Sequence, residues 1–226
     1  MNDKNEQDAH ESAHEQEEQL KPEASRRDFL RKGSMGLAGL AGALGAFLDA
    51  VELDNAHLVG HSMGAAVAAS FACDAPERVD SLSLISAAGL GAEINAAYID
   101  GFVAAESRRD LKPVLLNLFA DSSLVNRSLV DDLLKYKRID GVHEALQRLA
   151  ASLFPGGVQQ TVLTPQIAEL GKPTLVVWGA EDQVIPAAHA QNLANATVEV
   201  IDGAGHMVQM EKASRVNELI LGNILG

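Results

Sequence analysis

The sequence predicts an α/β protein built on a mainly parallel sheet flanked by helices. Three observations predict it. Short apolar runs recur along the chain, helix-forming stretches separate them, and one run ends in a serine bracketed by glycines where a strand gives way to a helix. Taken in order, His57-Leu58-Val59 is the first strand and residues 64–71 a helix of small side chains. Residues 81–85, 174–178 and 197–201 are the next three strands, and residues 210–225 close the chain as an amphipathic helix. Strands that alternate with helices pair in parallel, because a parallel connection has to cross back over the sheet. Residues of about 92–168, between the second and third strands, are rich in helix formers, as in Val130-Asp131-Asp132-Leu133-Leu134-Lys135-Tyr136 and residues 142–149, and read as a helical lid.

Composition bounds the function. A chain of 226 residues, 47% hydrophobic and 22% charged, suits one packed domain. A formal net charge of −13 repels nucleic acid and anionic membrane surfaces, so no nucleic-acid partner is expected. The single cysteine, Cys73, excludes an internal disulfide and a cysteine-based metal site. It sits in the apolar run Ala68-Ala69-Ser70-Phe71-Ala72-Cys73 and reads as a small buried hydrophobe.

Two segments precede the globular part. Residues 1–24 are strongly acidic and almost free of large apolar side chains, the composition of a disordered leader. His10-Glu11-Ser12-Ala13-His14 matches a zinc pattern there. That chemistry needs a buried helix and a third ligand, so the match reads as chance and no metal or cofactor is expected. Residues 25–46 begin Ser25-Arg26-Arg27-Asp28-Phe29-Leu30-Arg31-Lys32 and continue as a Gly/Ala/Leu stretch too short to span a bilayer. This resembles a twin-arginine export signal, with Ala41-Gly42-Ala43 as a cleavage position and a periplasmic or exported product; without the signal the chain is cytoplasmic. The alternative is a glycine-rich amphipathic helix inside the domain, against which each helical glycine counts by about 1 kcal/mol. The globular domain is expected over residues 47–226.

The chemistry centres on Gly60-His61-Ser62-Met63-Gly64. A serine hydroxyl becomes a nucleophile only when a base takes its proton and a third group orients that base. A G-x-S-x-G turn between strand and helix exposes such a serine, with glycines where the tight turn leaves no room for a Cβ. The backbone N–H of Met63 is then one oxyanion donor. Trp178-Gly179-Ala180-Glu181-Asp182 places carboxylates just beyond the third strand, where ligand-binding groups gather in parallel sheets. Asp182 is the candidate acid and Glu181 its competitor. After the fourth strand, Asp202-Gly203-Ala204-Gly205-His206 carries the candidate general base, His206. His61 beside the serine is expected to pack or hydrogen-bond, while His57, His143 and His189 lack metal-ligand spacing. Arg108, Arg109 and Asp110, with Asp131, Asp132, Lys135, Lys137 and Arg138, read as a solvated helix face or as contacts to an anionic ligand.

These motifs resemble the α/β-hydrolase family, in which nucleophile, acid and base follow in the order Ser, Asp, His and a G-x-x-D spacing favours Asp182. More narrowly, residues 87–109, 131–138 and 204–211 resemble the hydrolase-like domain of dihydrolipoamide acetyltransferase components of acetoin dehydrogenase complexes. The resemblance implies a serine hydrolase or acyltransferase acting on an ester or thioester, and a complex that uses lipoyl groups and coenzyme A. No stretch before residue 47 resembles a lipoyl domain. The expected architecture is therefore a partial α/β-hydrolase fold, a mainly parallel sheet with a helical lid and the N-terminal strands missing. Such a fold would lack the loop that supplies the second oxyanion donor, and removing one donor costs on the order of 10²- to 10³-fold in rate. The first strand would also become an open edge able to pair with a second copy. An impaired remnant or a subunit-interaction protein is the competing expectation.

Overall fold

The structure, a computed structural model, describes residues 36–226. The described residues begin with helix α1 (Leu37–Ala50), then strand β1 (Ala56–His61), α2 (Met63–Asp74) and β2 (Val79–Ile85). Four helices follow: α3 (Ala96–Ala104), α4 (Arg108–Leu115), α5 (Arg127–Lys137) and α6 (Val142–Leu153). The chain ends with α7 (Thr164–Glu169), β3 (Thr174–Gly179), β4 (Thr197–Ile201), α8 (Val208–Glu211) and α9 (Ala213–Leu225). The expected terminal helix is thus two helices, broken at Lys212.

The four strands form one parallel sheet in the order β1-β2-β3-β4. Alternate residues serve opposite faces of each strand. Leu82 and Leu84 of β2 and Val176 and Trp178 of β3 join the core beneath α1 and α2, while Ile85, Leu175 and Val177 pack with Val208 and Val216 on the other face. Burial on both faces is what makes β3 a continuous apolar run. β1 pairs only with β2 among the described residues, and its Val59 is 48% exposed. At the opposite edge β4 carries Glu199, which pairs with Arg215 of α9 at 3.0 Å.

The core begins before residue 47. α1 contributes Leu37, Ala41 and Leu48 to the main core, so the apolar half of the expected signal segment is a helix packed into the domain. Ala41-Gly42-Ala43 falls within it, and Ala41 is buried. Glycine is useful here: a Cβ on Gly45 would come within 3.1 Å of the Phe71 ring, so its absence lets α1 lie close against α2. Close packing over that interface offsets the helical cost of glycine. Arg26 and Arg27, the acidic leader and the His10–His14 pattern lie outside the described residues.

α3 to α6 form the lid, with its own core of Leu111, Leu115, Phe119, Val130 and Leu134. Side chains of Asn95, Ser107 and Asn126 cap α3, α4 and α5 by accepting from the N–H groups of Tyr98, Asp110 and Leu129. α7 belongs to the sheet layer, because Ile167 joins the main core. Within the charged face of α5, Lys137 departs from expectation. It is buried, and its ammonium donates to Phe102 O and Val103 O at the carboxyl end of α3. Those carbonyls end a helix without intrahelical partners, which is why a cation is held there. Arg108 and Asp131 form a two-bond ion pair between α4 and α5.

Candidate active site

Ser62 lies between β1 and α2 with φ 53° and ψ −121°. An L-residue is strained in that region, so the surroundings must hold it. Its N–H donates to Ile85 O at 2.9 Å and its carbonyl accepts from Ala65 N at 3.0 Å and Ala88 N at 3.1 Å, tying the turn to the end of β2 and to α2. The two motif glycines prove unequal. A Cβ on Gly60 would lie 2.5 Å from Ala65 Cα and Gly64 O, whereas one on Gly64 would meet nothing within 4 Å. The expectation that both positions exclude a Cβ holds for Gly60 alone. Met63 opens α2, so its N–H has no acceptor inside the helix and points where helix dipole and free donor favour an anion.

Asp182 and His206 meet. His206 Nδ1 lies 2.8 Å from Asp182 Oδ2, and both side chains are almost fully buried. The other carboxylate oxygen of Asp182 accepts from Val184 N at 2.8 Å and Ile185 N at 3.0 Å, which fixes the carboxylate's direction. Glu181, the competing carboxylate, faces away and accepts from Gly203 N and Ala204 N at 3.1 and 2.9 Å. Those two N–H bonds hold its pKa below the usual carboxylate range. Glu211 clamps the same loop, accepting from Gly205 N at 2.7 Å and, with its second oxygen, from Asp121 N at 2.9 Å. The loop that carries His206 is therefore held by two glutamates whose roles have no sequence signature.

Among the described residues no hydrogen bond joins the Ser62 hydroxyl to His206; contacts of this kind tighten in substrate complexes. The Ser62 turn reaches the His206 loop through His61. Its Nε2 lies 2.9 Å from His206 O, and the two rings are 4.8 Å apart. Burial, and then the neighbouring His206, bring the His61 pKa down to about 4, so the ring is neutral near pH 7. Tyr98 of α3 is also close to Asp182. Burial and the Asp182 charge push its phenol up to about 12, and its ring stacks on Phe102.

A narrow crevice opens beside the elbow, lined by Met63, Ala66, Ala88, Gly89, Leu153 and Gln159. Gln159, unremarkable in sequence, is buried and bonds Gly89 N at 2.7 Å and Glu93 O at 2.8 Å, which fixes the chain where it leaves β2 for the lid. A larger cavity of about 1010 Å³ lies between α3 and α6, bordered by Ile99, Val103, His143 and Phe154. None of Ser62, Asp182 or His206 lines this cavity, whereas Met63, next to Ser62, lines the crevice.

His57 and His189 hold structural positions. His57 Nδ1 is 2.8 Å from Ser81 Oγ, and His189 is buried edge-on to Trp178 with Nε2 2.7 Å from Glu93 Oε2. Cys73 is half-buried, packed against the core rather than within it. Among the described residues no group of His, Cys, Asp or Glu side chains is arranged to hold a metal, and no helix is long and apolar enough to cross a membrane.

The fold is shared with known proteins. A family model described as the alpha/beta hydrolase fold matches residues 14–213. The chain is 52% identical over 191 residues to the dihydrolipoyllysine-residue acetyltransferase component of the acetoin cleaving system of Cupriavidus necator, a match covering 84% of this chain and 51% of that protein. It is 32% identical over 192 residues to a 2-hydroxy-6-oxo-6-phenylhexa-2,4-dienoate hydrolase of Burkholderia cepacia, covering 80% of this chain and 66% of that one. A solved meta-cleavage product hydrolase of Pseudomonas fluorescens superimposes with a TM-score of 0.76 at 25% identity, over 90% of this chain and 74% of that chain. The chain spans about half the length of the acetyltransferase component.

Proposed function

From the premise that the chain belongs to the α/β-hydrolase family, we propose that it is a serine-nucleophile hydrolase or acyltransferase acting on an ester or thioester of a small molecule. Ser62 is the nucleophile, His206 the base and Asp182 the group that orients it. The observation that carries the reading is the buried 2.8 Å bond between His206 Nδ1 and Asp182 Oδ2. It fixes the tautomer: with Nδ1–H donating to the carboxylate, Nε2 keeps the lone pair that can accept a proton.

The sequence of events follows. Ser62 Oγ attacks the acyl carbon while His206 Nε2 takes its proton, and Asp182 stabilises the imidazolium. Negative charge developing on the carbonyl oxygen is met by the Met63 N–H at the start of α2. His206 then gives its proton to the leaving alcohol or thiol, leaving an acyl group on Ser62 for water or an acceptor thiol to remove. Acyl transfer to a thiol is the reaction suggested by likeness to the acetyltransferase component.

A second reading is favoured by the likeness to a dienoate hydrolase and to a meta-cleavage product hydrolase. In it the leaving group is a stabilised carbanion, and the same three residues cleave a carbon–carbon bond next to a ketone. Hydrolysis of p-nitrophenyl acetate, acetyl thioester and a dienoate ketone, each with wild type and Ser62→Ala, separates these. Ser62-dependent turnover is expected with the first two. Equal turnover in both variants on every substrate leaves only the non-catalytic, subunit-interaction role.

The twin-arginine segment is proposed to direct export of the folded chain without cleavage at Ala41-Gly42-Ala43. Such a cut would remove Leu37 and Ala41 from the core. The N-terminal mass of the exported protein tests this, and a start at Gly42 or beyond would refute it.

A further inference from the structure

We propose that His61 is a positioning residue that sets the distance between nucleophile and base. The inference rests on reading Ser62 and His206 as a working pair.

His61 ends β1 and directly precedes Ser62, so the strain that orients the serine also fixes the imidazole. Its Nε2 lies 2.9 Å from His206 O. A carbonyl oxygen only accepts, so Nε2 carries the proton and donates. The rings of His61 and His206 stand 4.8 Å apart with a 54° tilt. The donor therefore grips the base's own backbone from beside its ring.

The other anchors of the base-bearing loop reach elsewhere. Glu181 and Asp182 belong to the loop after β3, Leu118 O accepts from Met207 N on the lid side, and Glu211 is on α8. Each holds His206 relative to its acid or to the lid. Among the described residues the His61 bond is the one hydrogen bond between residues 60–64 and residues 202–207. Removing that donor frees the loop to shift against Ser62 while the Asp182–His206 pair stays intact. A serine site is sensitive to such a shift, since a misplacement near 1 Å costs on the order of 10²-fold in rate.

The test compares wild type, Ser62→Ala, His61→Leu and His61→Gln. Leucine fills the space without a donor. Glutamine carries an amide N–H at about the reach of Nε2. With p-nitrophenyl acetate, His61→Leu is expected to lower kcat by about 10- to 100-fold with KM within about 2-fold, and His61→Gln to recover most of that loss. Backbone amide exchange supplies a readout independent of turnover. Exchange at residues 203–207 is expected to rise in His61→Leu and to return toward wild type in His61→Gln, with the amides of Val184 and Ile185 unchanged.

Wild-type kcat in His61→Leu, against turnover that Ser62→Ala abolishes, overturns the proposal and leaves the function standing. Turnover that survives Ser62→Ala refutes the function instead. The positioning role is then judged by exchange alone, and unchanged exchange at residues 203–207 overturns it. A rise spread over the whole fold also overturns it, because it marks general destabilisation.

Discussion

Asp182 and His206 lie 24 residues apart in the chain, at the ends of adjacent strands, and join through a 2.8 Å bond sealed from solvent. The pairing follows from the sheet. β3 and β4 are parallel neighbours, so the loops leaving their carboxyl ends emerge side by side.

The first prediction concerns that bond. Asp182→Asn keeps an oxygen for Val184 N and Ile185 N but loses the charge and the preferred His206 tautomer. A fall of about 10⁴-fold in kcat is expected with little change in the unfolding midpoint. Asp182→Ala leaves both N–H groups without an acceptor and should cost about 1–3 kcal/mol of stability as well. Turnover of p-nitrophenyl acetate and urea unfolding, run on both variants, separate the two effects; similar stability in both would contradict the buried double acceptor.

Backbone strain at Ser62 predicts a stabilised but inert variant. At φ 53° and ψ −121°, glycine is relieved of a cost of about 1–3 kcal/mol and pays roughly 0.5–1 kcal/mol in the entropy of the unfolded chain. Ser62→Gly should therefore unfold about 1 kcal/mol harder than wild type while failing to react with a fluorophosphonate probe. A loss of stability would mean that the turn is unstrained.

Gly60 and Gly64 should respond in opposite ways. Gly60→Ala drives a methyl group into backbone atoms 2.5 Å away and is expected to yield no soluble folded protein. Gly64→Ala meets nothing within 4 Å inside α2 and should be neutral or gain up to about 1 kcal/mol from helix propensity. Expression followed by thermal melting distinguishes them, and equal damage at both positions would refute the asymmetry.

His61 makes stability depend on pH. Its pKa falls from 6.5 to about 4 in the fold, because burial penalises the cation. Between those values the unfolded chain binds a proton that the folded chain refuses. The contribution is thus complete above about pH 6.5 and is lost as pH falls toward about 4, a change on the order of 3 kcal/mol. The difference in unfolding free energy between about pH 7 and pH 4.5 should shrink in His61→Gln. The same difference in variant and wild type would show that the ring is not held neutral.

Much of the fold was legible in the sequence because its evidence is local. Strand positions, the small-residue helix after Ser62 and the helical lid each follow from side-chain periodicity within a dozen residues. α1 was read otherwise, since Gly39, Gly42 and Gly45 look costly in isolation. Contact with Phe71 of another helix supplies the reason for Gly45, and no local pattern carries that contact.

By itself, the sequence determined which residues could form the site: a glycine-bracketed serine, a carboxylate after one strand and a histidine after the next, in an order that resembles one family. Only the tertiary structure decided between Glu181 and Asp182, because adjacent residues in a loop point in different directions and either carboxylate suits the chemistry. Only the tertiary structure gave Glu181, Glu211 and Gln159 their tasks and joined His61 to His206. Hydrogen bonds between residues 6 to 145 positions apart arise from where the chain returns in space. Their geometry is set by the sheet, and side-chain spacing along the sequence does not record it.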